Sequence, residues 1–191
     1  MEELVAKSKK GDSKAFTELI HSIKNDLYRI AKTRLNSDDD IGDAIQETMI
    51  IAYKKLKKLK DNSKFKSWII KILINECNLI YKKRKKQNDI YEKVEINTVL
   101  GNEDESIHMI NSKLDFELLI NQLNYEERLI ITLFYNNRYS CSEISEILNM
   151  NVNTVKSKLK RAKEKIKNYS EGGIYNEWKL WWIRFNDVWL F

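Results

Sequence analysis

Apolar residues return every three to four positions through much of this chain. Phe16, Leu19, Ile20, Ile23, Leu27, Ile30 and Ala31 form one stripe, the spacing of an amphipathic helix, with Asp12 standing before it as a cap. A second stripe, Ile41, Ala44, Ile45, Thr48, Ala52, Leu56 and Leu59, follows the acids Asp38, Asp39 and Asp40. Three acids invite a metal reading. Carboxylates also collect at helix starts, where they meet free N–H groups and the positive end of the dipole, and that is the stronger reading here. The opposite face of this second helix carries Asp43, Gln46, Glu47 and Ile50, then turns basic at Lys54, Lys55, Lys57 and Lys58. After a polar break over 60–64, a third helix starts near Phe65 or Lys66. It runs through Trp68, Ile69, Ile72, Leu73, Cys77 and Ile80 into Tyr81 and a cluster of cations.

From about residue 87 to 112 the periodicity fades. Asp89, Glu92, Glu95, Glu103, Asp104 and Glu105 face little positive charge there and Gly101 interrupts, as in a flexible acidic linker that leaves room for helical patches. Periodicity returns near Lys113 with Phe116, Leu119, Ile120 and Leu123. Asn124 with Glu127, and Ser140 with Glu143, have the spacing of capping boxes that open two further helices. A tight break at Asn149, Met150 and Asn151 leads to a last helix with Val155, Leu159, Ala162 and Ile166 inward.

Composition agrees with this pattern. The 191 residues include no proline and five glycines, which favours long helices with few sharp corners. The expected fold is all-α: a helical domain over 1–88, an acidic linker over 89–112, a second helical domain over 113–170 and a tail over 171–191. The net charge of +6 calls for a polyanionic partner, with nucleic acid and an anionic membrane surface both open at this level. No basic segment followed by an apolar one opens the chain, and no stretch approaches the ~20 apolar residues of a membrane span, so a cytoplasmic protein is expected. Cys77 and Cys141 form no ligand spacing, and His21 and His108 lie near neither, so reduced thiols, no metal and no cofactor are expected. There are no paired histidines and no glycine-rich phosphate loop, which disfavours an enzyme acting on nucleic acid.

Two segments carry chemistry. From Ser140 to Lys167 the chain has a capped short helix, a turn of three residues and a longer basic helix, which is helix-turn-helix grammar. The outward positions of the second helix are Asn153, Thr154, Lys156, Ser157, Lys160 and Arg161. Short polar side chains can approach base edges and cations can reach phosphates, although a lysine-rich face also occurs on ordinary bundles. At the end of the third helix, Asn75 and Asn78 precede Tyr81, Lys82 and Arg84. Amides can bond bases, a tyrosine can stack on an unpaired base and cations hold phosphate.

Taken in order, these segments resemble the small extracytoplasmic-function sigma factors of bacterial RNA polymerase. Gly11-Asp12, Ala15-Phe16, Leu19, the run Leu27 to Ala31, the run Asp43 to Glu47, the run Phe65 to Trp68 and Asn75 are similar to region 2. Leu123, the run Glu126 to Arg128, Tyr139-Ser140, Glu143-Ile144, the run Asn153 to Ser157, Leu159, Arg161 and Ala162 are similar to region 4. Ile74 and Leu79 depart from the pattern, standing where the family often has arginine and aspartate.

The resemblance implies an initiation subunit without its own catalysis, working with core RNA polymerase and promoter DNA under an anti-sigma factor. It implies that Asp43, Gln46, Glu47 and Ile50 dock on polymerase. Asn62, Ser63, Lys64 and Phe65 would receive a base flipped from the melted promoter, and Trp68, Asn75, Asn78, Tyr81, Lys82 and Arg84 would grip that strand. Asn153, Thr154, Lys156, Ser157, Lys160 and Arg161 would read the more distant promoter element. The alternative is a stand-alone helix-turn-helix regulator. The tail, with Trp178, Trp181, Trp182 and Trp189, matches nothing in the family and would need an apolar surface, either on the protein itself or on a partner or membrane.

Overall fold

The computed structural model describes residues 1–95 and 123–171. The expected linker beyond residue 95, the stripe residues Phe116, Leu119 and Ile120, and the Trp-rich tail lie outside the described residues. The fold is all-α, and among the described residues every regular element is helical.

The chain opens with α1 (Glu2–Lys9), too short to announce itself by periodicity, which buries Val5. Gly11, at φ +100°, takes the left-handed conformation that lets the chain reverse into α2. Helix α2 (Ser13–Lys32) is capped by the Asp12 carboxylate, which accepts from the Ala15 N–H at 3.0 Å. Ser37 caps α3 (Asp38–Lys55), so the three acids form its first turn, as expected from the dipole. A 3-10 turn over Leu56–Lys58 and another over Asn62–Lys64 lead into α4 (Phe65–Glu95). Helix α4 continues well past residue 87, where the sequence suggested a linker, because no glycine or proline stands between its ends to stop it.

The core of this first module is the closure of three stripes: Leu19, Ile23, Leu27 and Ile30 from α2, Ile41 and Ala44 from α3, and Phe65, Ile69, Ile70 and Leu73 from α4. Each fully buried Leu, Ile or Phe side chain contributes about 1.5–3 kcal/mol.

The second module begins with α5 (Tyr125–Ile131), opened by a complete capping box between Asn124 and Glu127. Helix α5 runs on into a π-helical turn over Thr132–Asn136, which the apolar pattern did not signal. Arg138, at φ 58°, then turns the chain toward α6 (Cys141–Leu148), where Ser140 and Glu143 form the second box. Asn149 ends α6 in the left-handed region, and α7 (Val152–Glu171) follows. Val155, Leu159, Ala162 and Ile166 bury the inner face of α7.

The modules are in contact. Helix α6 packs on α4 and the π turn packs on α2, so that the apolar residues of both modules form one cluster. This seam could not be read from periodicity, which reports burial but not the partner.

Two outcomes follow. Ser140→Ala removes a side chain that caps α6 and should lower stability by about 1 kcal/mol in chemical unfolding, with the helix-turn-helix melting first. Burial pushes the Cys77 thiol from 9.0 up to about 12 and the Tyr125 hydroxyl from 10.0 up to about 12. Folding favours the neutral form of each. Their contribution is therefore complete below pH 9.0 and is lost as pH rises toward 12. Thermal unfolding across that range should show the fall, and Tyr125→Phe should flatten part of it.

Candidate nucleic-acid interface

On α3, the residues left outside the core are Asp43, Gln46, Glu47 and Ile50, all exposed and spaced i, i+3, i+4, i+7 on one face. Ile50 is 37% exposed, and one turn on stands Tyr53, 50% exposed, its ring edge-on to Phe16 with centroids 5.0 Å apart. The face is thus acidic and amidic at its start and apolar toward its end. Such a mixed ridge suits a protein partner better than a polyanion. Tyr53 was missed by the sequence reading, since an aromatic residue at that spacing reads equally well as core.

The turn over Asn62–Lys64 is pre-formed. The Asp61 carboxylate accepts from the Ser63 N–H at 2.9 Å and from its hydroxyl at 2.7 Å, which holds that carboxyl below its ordinary value. Lys9, more than fifty residues away, donates to the Leu59 carbonyl and to the Asn62 side-chain oxygen. Ser63 and Lys64 remain exposed. Phe65 does not: it is fully buried and leans on Trp68, with ring centroids 6.0 Å apart. Phe65 therefore anchors the turn to the core and does not present a ring to a base. Asp61 was legible as a side-chain cap, two residues before Ser63. Lys9 left no local signal.

Along α4, the half-buried Trp68 and Asn78 and the exposed Lys71, Asn75 and Lys82 follow one another at three- and four-residue steps. An aromatic, two amides and two cations thus share a stripe. Of the two departures, Ile74 is buried, while Leu79 is 59% exposed beside the amides. Two cationic neighbours are arranged in ways the sequence did not foretell. Arg84 donates to Asp40 on α3, Nη2 at 2.7 Å and Nε at 3.1 and 3.2 Å to its two oxygens, so its charge is tied to the first turn of α3. Arg34, at the end of α2, lays its guanidinium over the Tyr81 ring at 3.6 Å and over the Tyr125 ring at 4.0 Å. Tyr81 thus has one face occupied.

Helix α7 sorts its cations. Lys158 bonds Glu126 at 2.6 Å and Lys165 bonds Glu127 at 2.8 Å, fastening α7 to α5. Asn153, Thr154, Lys156, Ser157, Lys160 and Arg161 all lie on the exposed side. The Asn151 side chain accepts from the Asn153 N–H at 2.8 Å and so caps the start of the helix. Lys160 also approaches Glu164 at 3.8 Å, an exposed pair of little weight. Lys156, Lys160, Lys163 and Lys167 line an open groove with Cys141, Leu159 and Glu164, so the groove is cationic on balance with one carboxylate set among the lysines.

A helix-turn-helix presenting a cationic, amide-bearing helix, joined to a second module with its own amide–cation stripe, defines a two-module DNA-binding protein. Comparison with known proteins sharpens the class. The Sigma-70 region 2 family profile matches residues 19–87, and the Sigma-70 region 4 profile matches residues 113–166. The chain is 31% identical over 175 residues to the ECF RNA polymerase sigma-E factor of Haemophilus influenzae, covering 86% of this chain and 92% of that one. It is 28% identical over 171 residues to the ECF RNA polymerase sigma factor SigW of Bacillus subtilis, covering 83% and 90%.

Two solved structures share the fold. CnrH, in complex with the cytosolic domain of CnrY, superposes with a TM-score of 0.66 at 20% identity, over 91% of this chain and 98% of that one. The sigma factor RpoE of Bartonella quintana, in complex with the anti-sigma factor NepR, gives 0.63 at 21%, over 81% and 96%. The chain belongs to the ECF subfamily of RNA polymerase sigma factors. That family directs transcription initiation and is not a family of catalysts. Among the described residues, no helix is long and apolar enough to cross a membrane.

The Arg84–Asp40 pair should behave as a structural contact. A double-mutant cycle with Asp40→Asn and Arg84→Gln, read by thermal unfolding, should give a favourable coupling that shrinks as salt is raised. Zero coupling would return Arg84 to the list of cations available to DNA.

Proposed function

We propose that this sigma factor docks on core RNA polymerase through the α3 face of Asp43, Gln46, Glu47 and Ile50, extended by Tyr53. In the same reading, region 2 (1–88) meets the melted promoter strand through Asn62, Ser63 and Lys64 and through the α4 stripe with Trp68, Asn75, Asn78, Tyr81 and Lys82. Region 4 (113–170) enters the major groove of the distant element with Asn153, Thr154, Lys156, Ser157, Lys160 and Arg161. Residues 89–112 tether the two, so that each weak contact raises the effective concentration of the other. Phe65 and Arg84 hold the turn and the helix in position. The observation that carries this reading is the division of charge on α7: Lys158 and Lys165 pair with glutamates of α5, while every side chain of the proposed reading set lies on the exposed side without a partner on α5.

The chain acts without chemistry of its own and works in the cytoplasm, where its polymerase partner lies. An anti-sigma factor of the kind captured on the Bartonella quintana relative would hold it inactive.

Transcription by core polymerase from the DNA upstream of this chain's own gene tests the reading. Initiation that depends on adding the chain is expected. Tight, specific DNA binding by the chain alone, with no effect on polymerase, would point instead to a stand-alone regulator.

Two variant sets refine the assignment. Glu47→Arg with Gln46→Arg should reduce association with core by about tenfold or more through like-charge and desolvation costs, with helix content unchanged. Normal co-purification would refute the docking face. Lys156→Ala and Arg161→Ala should weaken promoter binding by holoenzyme, each lowering the log–log salt slope by up to about one unit. An unchanged slope would remove both from the phosphate contacts.

A further inference from the structure

The open groove along α7 is matched in spacing by another segment of this chain. It encloses about 330 Å³. Leu159 is buried and Cys141 half-buried while Lys156, Lys160 and Lys167 are exposed, so the apolar pair lies deepest and the lysine stems rise around it. The four lysines, Lys163 included, stand at steps of four, three and four residues, one stripe on the helix. Lys163 is held against rings here, its ammonium 5.4 Å from the Phe134 centroid and 5.5 Å from that of Tyr135. Cations at this edge settle on aromatic faces.

The tail supplies rings at the same steps. Directly after Glu171, where the described part of α7 ends, the sequence places Gly172 and Gly173. Two residues suffice to join antiparallel helices, and glycine takes the left-handed backbone that such a reversal uses. Beyond them Ile174, Trp178, Trp181, Trp182, Phe185 and Trp189 recur at helical spacing on one face. Trp178, Trp182, Phe185 and Trp189 are four, three and four residues apart. Reversal at the glycine pair sets Trp178 opposite Lys167, Trp182 opposite Lys163, Phe185 opposite Lys160 and Trp189 opposite Lys156. A slip of one residue loses all four pairings and puts Trp182 opposite Glu164. An anionic membrane is the weaker occupant, because Glu177 and Asp187 offset Lys179 and Arg184 and leave the segment without a cationic face.

We infer that residues 174–191 fold back along α7 as an antiparallel helix whose tryptophan face is seated in the groove of Cys141, Leu159 and the four lysines. The lysine stems pack between the rings and their ammonium groups emerge at the rim, so the positive charge stays in solvent. The Cys141 thiol is closed off beneath the rings. The docking stands apart from what α7 reads on DNA and holds or fails without it.

Cys141 reports the docking in the full chain. Cys77 is 1% exposed and burial pushes its thiol up to about 12, so it is silent to a thiol reagent. With dithionitrobenzoate, Cys141 should react about tenfold faster in the Trp178→Ser, Trp182→Ser double variant than in the parent, as a mostly docked segment requires. Continued silence of Cys77 shows that the fold is kept. Equal Cys141 rates in the two proteins would overturn the inference.

The register is tested by pairing cysteines in a Cys141→Ser background. Trp189→Cys with Lys156→Cys should form a disulfide within one chain on mild oxidation. Trp189→Cys with Lys167→Cys should not, since Lys167 lies eleven residues, about 16 Å, farther along α7. Bridging of both pairs alike, or of neither, would overturn the docked register. A bridge between two chains would assign the groove to a second copy and overturn the fold-back. Tryptophan emission that shifts to the blue only on adding phosphatidylglycerol vesicles, with Cys141 reactive throughout, would give the tail to a membrane surface instead.

Discussion

A helix can bury only one stripe of its surface, and here that constraint decides where function can lie. The inner stripes of α2, α3 and α4 close on one another around Leu19, Ile41, Ile69 and Leu73, all nearly inaccessible to solvent. Once that closure is made, the face of α3 with Asp43 and Glu47 has nowhere to go but outward, and so does the α4 stripe of Lys71, Asn75 and Lys82. The same holds in the second module. Burying Val155, Leu159, Ala162 and Ile166 turns Lys156, Ser157, Lys160 and Arg161 to solvent. These outward side chains are thereby mounted on rigid elements whose orientation is set by apolar burial.

Because burial obeys a simple period, much of the fold was legible in advance. The stripes of α2 and α3, both capping boxes, the three-residue turn before α7 and its outward set of six residues all stand where the pattern of apolar and polar positions put them. What escaped was either short or distant. Helix α1 offers too few apolar positions to show a period. Lys9 reaches the Asn62 turn across more than fifty residues, and Arg34 meets two tyrosines from different modules. Phe65, expected near the start of the third helix and, by the resemblance, among the residues that receive a base, is buried and anchors the turn, because an aromatic at the mouth of a helix gains more from the core than from solvent. Arg84 read as one more cation in a basic run. A carboxylate on the neighbouring helix, Asp40, changes its role, and nothing local in the sequence couples the two.

Electrostatics in this protein is accordingly a matter of allocation more than of sum. The surplus of +6 says only that a polyanion is welcome. The structure divides the cations into those that fasten helices, such as Lys158, Lys165 and Arg84, those engaged at the seam, such as Arg34 and Lys64, and those left outward, such as Lys156 and Arg161. The first group holds each module together and the third is open to phosphate. Two weak sites on one tether gain affinity only when geometry allows both to engage. A large partner that sets the distance between them would supply that geometry.

The central claim, that two modules of one chain grip separate promoter elements only in the company of polymerase, is tested most directly by hydroxyl-radical footprinting of promoter DNA with the chain, with core polymerase, and with both. The account predicts two separated windows of protection that appear only when both proteins are present. A single window produced by the chain alone, unchanged by adding polymerase, would contradict it.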